Sequence, residues 1–197
     1  MCEETMSKNR LFSFLWIFVL LSFLTTTSAV ASDWLFKNGR SSYQILLAND
    51  ASPSEQEAAH ELQDYVSQIS GVLLPITNDY NGNGRYIIVG YTPIVAKLTN
   101  QPQPDSNDES FTYRKVGHNL LIWGGKQRGT MYGVFSFLEN ELGVHWLTPD
   151  CTVVPKKKQL RLKKLNHSEK PAIGYRYNNY FVTRNNPAWS AHVKENM

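Results

Sequence analysis

The sequence predicts an α/β fold in which a mixed β-sheet has two main helices packed on it. Short apolar runs alternate along the chain with longer segments of helical periodicity, which is typical of helices that cover a sheet. One run, residues 86–89, is continuously apolar and bounded by glycine, as expected of a strand covered on both faces. The chain beyond residue 31 is long enough for one domain with its own core.

The first main helix is predicted to follow a short apolar strand at residues 44–47. Ser52 is placed to cap this helix, Pro53 suits its first position, and Glu55 completes a capping box. Gly71 is placed to end it. Apolar side chains at helical spacing predict its buried face: Ala58, Leu62, Tyr65, Val66 and Ile69.

The second main helix is predicted over residues 130–142, and Gly143 is placed to end it. A short helix is expected after Thr92, and the polar residues 101–110, with two prolines, indicate a surface loop. The buried stripe of the second helix is predicted to consist of Met131, Val134, Phe135, Leu138 and Leu142. Further strands are predicted at residues 73–76, 111–116, 120–123 and 144–147.

The N-terminal residues predict a signal peptide over residues 1–31. Lys8 and Arg10 precede a nearly continuous apolar run at residues 11–24, and Ala-Val-Ala at 29–31 matches a signal-peptidase site. The alternative is a membrane anchor, which needs roughly 20 apolar residues. We therefore expect a secreted or periplasmic protein, cleaved near Ala31, with no membrane attachment after cleavage.

Charge and cysteine content argue against several classes of protein. The formal net charge of +3 does not indicate a nucleic-acid partner. Cys151 is the only cysteine after residue 31, and the histidines lack ligand spacing, so we expect no metal. In the basic stretch 156–164, Arg161 and Lys163 alternate with leucines, which predicts a strand with one solvated face.

The segment Gly-Gly-Lys-Gln-Arg-Gly-Thr at residues 124–130 poses the question of a phosphate-binding loop. Gly124 and Gly129 have the spacing of the two glycines of such a loop. The required lysine after the second glycine is absent, because Thr130 stands there. We interpret the glycines as a turn with close helix–strand packing, and Thr130 as a helix cap, and we expect no nucleotide or other cofactor.

Several short motifs follow one another in a fixed order along the chain: Ala58-Ala59, Glu61-Leu62, Ile69-Ser70-Gly71, Ile88-Val89-Gly90, Gly124-Gly125 and Arg-Gly-Thr-Met-Tyr-Gly-Val at 128–134. Their order resembles one known domain type. It is similar to the non-catalytic α/β domain that precedes the barrel in β-N-acetylhexosaminidases and α-glucuronidases, and to the N-terminal region of large exported Bacteroidetes-type hydrolase-like proteins. The resemblance spans residues 40–165 and implies a hexosaminidase domain-2-like fold, with an accessory domain over residues 32–168.

The resemblance continues into residues 169–197, which it identifies as the start of a truncated catalytic barrel. In hexosaminidases an R-G-x-x-x-D-x-x-R segment forms the first barrel strand, and its last arginine contacts sugar hydroxyls. Arg176 and Arg184 occupy the two arginine positions, while Tyr177 and Phe181 replace the glycine and the aspartate. The resemblance thus implies substrate contacts by Arg184 and Arg176, with Tyr180 as an aromatic neighbour; the alternative is that Arg184 is simply solvated.

No convincing pair of catalytic carboxylates is present, although glycoside hydrolysis usually needs two. We therefore weigh two hypotheses. In the first, the chain is a non-catalytic accessory domain whose partner is a catalytic barrel of the same polypeptide or of a neighbouring subunit. Residues 171–197 should then be loose, with rapid amide exchange. In the second, it is a free-standing carbohydrate-binding module that binds oligosaccharides through exposed aromatic side chains, with saturable tryptophan quenching. An independent enzyme is a third possibility.

Overall fold

The computed structural model of the protein describes residues 33–196, so the predicted signal peptide lies outside the described residues. The first half contains strands β1 (Trp34–Lys37), β2 (Tyr43–Leu47), β3 (Ile76–Thr77), β4 (Arg85–Val89), β5 (Phe111–Val116) and β6 (Asn119–Gly124), with helices α1 (Pro53–Ser70) and α2 (Pro93–Thr99). The second half contains helix α3 (Gly129–Phe137), a π-helix (Leu138–Leu142), strands β7 (His145–Thr148), β8 (Cys151–Val153), β9 (Gln159–Arg161) and β10 (Asn166–Glu169), and helices α4 (Phe181–Arg184) and α5 (Pro187–His192).

The main sheet has six strands in the order β10-β5-β6-β4-β2-β3. Strands β3, β2, β4 and β6 run parallel, whereas β5 and β10 are antiparallel to their neighbours. The sheet therefore ends in the two-residue strand β3 on one side and in the polar strand β10 on the other. Two small two-stranded sheets, β1–β9 and β7–β8, complete the architecture. The predicted class, a mixed sheet with helices packed on it, is confirmed.

The core lies on both faces of this sheet. Ile87 and Val89 of β4 belong to the larger cluster, which includes residues of α1 and α3. Tyr86 and Ile88 point the other way, into a smaller cluster with Val95 of α2. All four of these side chains, at residues 86–89, are buried, which confirms the prediction that this run is covered on both faces. Burial of side chains of this size stabilises the fold by about 1.5–3 kcal/mol each.

Helix α1 has the predicted boundaries because the signals that set them are local. The Ser52 hydroxyl accepts the Glu55 amide N–H at 3.2 Å, and the Glu55 carboxylate accepts the Ser52 amide N–H at 2.9 Å. At the other end Gly71 adopts the left-handed conformation, with φ of 75°. Of the predicted apolar face, Tyr65 is half-buried and the other four side chains are buried.

Two features of the second main helix differ from the prediction. Helix α3 begins at Gly129, and Thr130 is inside it rather than at its N-cap; the buried Thr130 hydroxyl accepts the Gly124 amide N–H at 3.2 Å. The last turn widens into the π-helix before Gly143 ends it with φ of 80°.

The predicted strand at 73–76 is also shorter than expected, since only Ile76–Thr77 pairs with β2.

Residues 171–196, which we call the C-terminal strap, differ from the expected first strand of a barrel. They contain no β-strand; instead, an irregular segment leads into helices α4 and α5. The strap joins no sheet, but side-chain contacts dock it on the domain, which argues against the loose tail expected of an accessory domain. The Tyr132 hydroxyl donates to the Glu195 carbonyl at 2.9 Å, and the His192 Nε2 atom lies 2.6 Å from the Glu61 carboxylate. Side-chain contacts with the sheet-covering helices thus hold the strap without strand pairing.

Candidate functional site

The carboxyl ends of the parallel strands form the first place to search, because ligands of open α/β sheets bind there. In this protein the buried Glu55 side chain occupies that position. Its Oε1 atom accepts the Thr130 hydroxyl at 3.3 Å, and a Cβ placed on Gly90, directly after β4, would lie 2.7 Å from it. A carboxylate here disfavours a phosphate because both carry negative charge.

The glycine-rich turn after β6 packs closely against the loop before β5. A Cβ on Gly129 would lie 2.6 Å from the Ser110 carbonyl oxygen, and Gln127 donates its backbone N–H to the Ser106 carbonyl. The Ser52 and Ser54 hydroxyls from the start of α1 donate to backbone carbonyls of the same turn. The turn is therefore a packing element, in agreement with the interpretation drawn from the missing lysine.

A cleft of about 450 Å³ lies beside this turn, and Glu109 lines it. The Glu109 carboxylate lies 2.6 Å from Arg176 Nη2 and 3.5 Å from Arg128 Nη1. It also accepts a hydrogen bond from the side-chain amide of Asn196 at 3.1 Å. The Glu109 side chain is only 13% exposed. The guanidinium of Arg176 also lies over the Tyr132 ring, 5.8 Å from its centre. Burial raises the pKa of the Tyr132 hydroxyl.

A second polar contact holds the far end of the strap. His192 stacks on Trp146 with ring centres 4.4 Å apart, while its Nε2 atom contacts Glu61. Trp146 in turn donates its indole N–H to the Tyr65 hydroxyl at 2.7 Å. The His192 and Glu61 side chains are only 10% and 17% exposed. The Glu109 contacts thus tie Arg176 and Asn196 of the strap to the loop before β5, and the His192 contact ties the strap to helix α1.

The resemblance implies that Arg176, Tyr180 and Arg184 are at a substrate site. In the structure these three residues lie in two different places. Arg176 lies in the Glu109 cleft, where its guanidinium also donates to the carbonyls of Lys194 and Ile173. Tyr180 and Arg184 are together at helix α4, because the Arg184 amide N–H donates to the Tyr180 carbonyl at 3.1 Å. Tyr180 is 74% exposed. Arg184 is also exposed and lines a shallow pocket with Asn179, Phe181 and Asn185.

Sequence reasoning missed Glu109 and the Glu61–His192 pair. In the sequence, Glu109 is one of several acidic residues in a polar loop. No local pattern indicates that it pairs with Arg176, 67 residues later. His192 likewise carries no local signal, because its partner Glu61 is 131 positions away in the sequence. Within residues 33–196, no three His, Cys, Asp or Glu side chains are grouped so that they could hold a metal ion.

The α/β fold is shared with part of a solved enzyme. A family GH115 4-O-methyl-α-glucuronidase with specificity for decorated arabinogalactans shares the fold, with a TM-score of 0.55 and 18% identity over 68% of this chain. The aligned part makes up 18% of that enzyme. No curated protein sequence matches the chain.

Two further solved structures show similarity at lower scores. The Streptomyces plicatus β-hexosaminidase aligns with a TM-score of 0.44 and 14% identity, covering 72% of this chain and 24% of the enzyme. The Flavobacterium johnsoniae chitobiase aligns with a TM-score of 0.42 and 13% identity, covering 74% and 19%. The chain thus spans about a fifth of the length of these solved structures.

Residues 31–137 match the family described as the N-terminus of glycosyl hydrolase family 67. The chain belongs to this family. The match confirms the resemblance to the N-terminal domain of such glycoside hydrolases. No helix within residues 33–196 is long and apolar enough to cross a bilayer.

Proposed function

We propose that residues 32–168 form a non-catalytic accessory domain of an exported glycoside-hydrolase-like protein, and that residues 169–197 begin its catalytic-barrel-like region. The accessory domain packs against the barrel and steadies its position. In this proposal the barrel belongs to the same polypeptide or to a neighbouring subunit, and the protein acts in carbohydrate breakdown.

The distribution of carboxylates supports a non-catalytic role. Glu55 caps a helix, Glu109 is paired with two arginines, and Glu61 contacts a histidine. Glu141 accepts the Tyr113 hydroxyl at 3.2 Å. These carboxylates already serve the fold, whereas glycoside hydrolysis needs two carboxyl groups facing a sugar across an open cleft.

The observation that carries the proposal is the set of large apolar side chains that the strap exposes. The strap contacts the domain through Arg176 and His192, as described above. It also exposes several large apolar side chains, with Phe181 80% exposed. Exposed apolar side chains that gather into a patch mark protein–protein contacts. The exposed set, which we call the strap surface, consists of Ile173, Tyr175, Tyr180, Phe181 and Val182.

The first test is the DNA sequence of the source gene beyond the codon for Met197. The proposal expects an open frame of several hundred residues with strand–helix repeats and paired carboxylates. A stop codon at that point would remove the barrel of the same polypeptide. The second test is an assay of the purified chain with aryl glycosides of N-acetylglucosamine and glucuronic acid. No release of the aryl group is expected, and turnover would contradict the non-catalytic role.

Export has its own test. N-terminal sequencing of the protein recovered from the periplasm or the medium should give a first residue near Ser32. Recovery of the protein from the membrane fraction with residues 1–31 still attached would instead favour a membrane anchor.

A second candidate function is carbohydrate binding by the strap itself. The exposed Tyr180 ring and the Arg184 guanidinium, one helical turn away, combine a stacking face with hydrogen-bond donors. Arg176 is a weaker candidate for sugar contact because its guanidinium already donates to three acceptors. The tryptophan residues of the chain provide the fluorescence signal for an oligosaccharide titration. Saturable quenching that Tyr180→Ala abolishes would support this function, and a flat titration across several glycan classes would count against it.

A further inference from the structure

The basic stretch near residue 160 forms part of a groove outside the sites described so far. The groove has a volume of about 400 Å³, and we call it the basic groove. It brings together the end of β5 and the segment after β9, with Asp33 as its one acidic residue. Its lining residues are Asp33, Lys115, Gly117, Arg161, Leu162, Lys163 and Lys164.

Neighbouring side chains hold part of this positive charge in place. Arg161 pairs with Trp34 across the β1–β9 ladder, and its guanidinium lies over the indole ring, 5.9 Å from the ring centre. The Lys37 ammonium lies over the same ring at 5.0 Å. Such cation–π contacts orient a cation without neutralising it. Trp34 therefore orients Arg161, which lines the groove, and also contacts Lys37.

The single acid does not balance the groove. Asp33 is bound by Lys115, with 2.9 Å between Nζ and Oδ1. This hydrogen bond, with the charges of Lys115, Arg161 and Arg85, holds the pKa of Asp33 below its usual value. Within residues 33–196, Lys163 and Lys164 are exposed and make no ion pair. The groove therefore presents excess positive charge that an anion can neutralise.

We propose that the basic groove binds an acidic polysaccharide through the carboxylate or sulfate groups along its chain. The choice of a glycan as the ligand rests on the proposed function in carbohydrate breakdown. The anionic chemistry rests on the groove itself, where the Arg161 guanidinium, held over Trp34, and the exposed Lys163 and Lys164 ammonium groups line one cavity. Guanidinium pairs with a carboxylate or sulfate through two parallel hydrogen bonds, and lysine adds charge with less directional demand. The net charge of +3 is modest, so the attraction is local to this groove.

The test measures binding of the purified full chain to polygalacturonate, chondroitin sulfate and neutral dextran by isothermal titration calorimetry. We expect saturable binding to at least one acidic polymer and none to dextran. The double variant K163E/K164E should weaken binding about tenfold, as should raising sodium chloride from about 0.05 M to 0.5 M. Binding only to chondroitin sulfate would identify sulfate esters, and binding only to polygalacturonate would identify carboxylates; each supports the proposal.

The matched control is K97E, which reverses the charge of an exposed lysine on α2. It should bind like the wild type, while K164E alone should show an intermediate loss. Circular dichroism and thermal unfolding confirm that each variant is folded. The proposal is overturned by folded wild-type protein that binds neither acidic polymer, or by equal losses in K97E and K164E. Stronger binding to single-stranded DNA than to both glycans also overturns it. Glycoside cleavage by the chain would refute the accessory role but leave this binding result intact.

Discussion

The α/β core and the C-terminal strap are held by different forces. The core buries continuous apolar side chains on both faces of its sheet, and its strands pair over long registers. The strap lies on that core through a small number of polar and aromatic contacts, centred on Arg176 and His192. Apolar burial summed over many residues is strong and cooperative, whereas a few side-chain contacts can be lost one at a time. The core should therefore unfold as one unit, and the strap should detach separately.

The largest effect is expected from a cavity in the core. Leu62→Ala removes a fully buried side chain between α1 and the sheet. It should lower the free energy of unfolding by about 2–5 kcal/mol. Urea denaturation followed by circular dichroism measures this loss, with Leu73→Ala, an exposed leucine, as the control. If the free energy of unfolding fell equally in both variants, burial in the core would not explain the loss.

A smaller effect is expected where Glu55 meets the end of β4. Gly90 has φ of +95°, and an added Cβ would lie 2.7 Å from the Glu55 carboxylate. Gly39 also has a positive φ, but nothing lies within 4 Å of an added Cβ. Gly90→Ala should therefore destabilise the protein by about 1–3 kcal/mol more than Gly39→Ala. Equal unfolding midpoints for the two variants would show that Glu55 moves aside without cost.

Replacing Arg176 should weaken the docking of the strap without destabilising the core. Arg176→Met leaves Glu109 without its closest cation in a half-buried position, which should weaken strap docking by about 1–3 kcal/mol. Hydrogen exchange should then speed up for the amides of residues 176–196 while those of β4 stay protected. Arg184→Met, at an exposed site, is the control. Faster exchange in both the strap and β4 would mean that the two regions form one cooperative unit.

The smallest effect on stability is expected from the ionisation of Tyr113, a core residue. Burial, assisted by the nearby Glu141 charge, raises the pKa of Tyr113 to about 12. A tyrosine with a raised pKa in the folded state stabilises the fold below its unfolded pKa of about 10, and this contribution is lost as the pH rises towards 12. Absorbance at 295 nm should show an ionisation near pH 12 that Tyr113→Phe removes. An unchanged titration in the variant would assign that step to another tyrosine.

The contrast between core and strap also marks what the sequence predicts well. The cap of α1 depends on Ser52 and Glu55, three residues apart, so its signal is visible in the sequence. The alternation of strands and helices similarly predicts the class of the fold. The strap contacts join residues that are 67 and 131 positions apart, and no local pattern encodes such a pairing. Thr130 lies inside helix α3 instead of capping it, and its hydroxyl donates to the Glu55 carboxylate 75 positions away, a contact that no local pattern indicates.

The two edges of the main sheet bear on how this domain behaves at high concentration. An open edge strand offers unpaired backbone groups to any neighbouring chain, and long apolar edges lead to aggregation. Strand β3 is only two residues long, and β10 presents the polar sequence Asn-His-Ser-Glu. Both edges are therefore poor templates for intermolecular strand addition, which allows the domain to sit beside other domains without forming fibres.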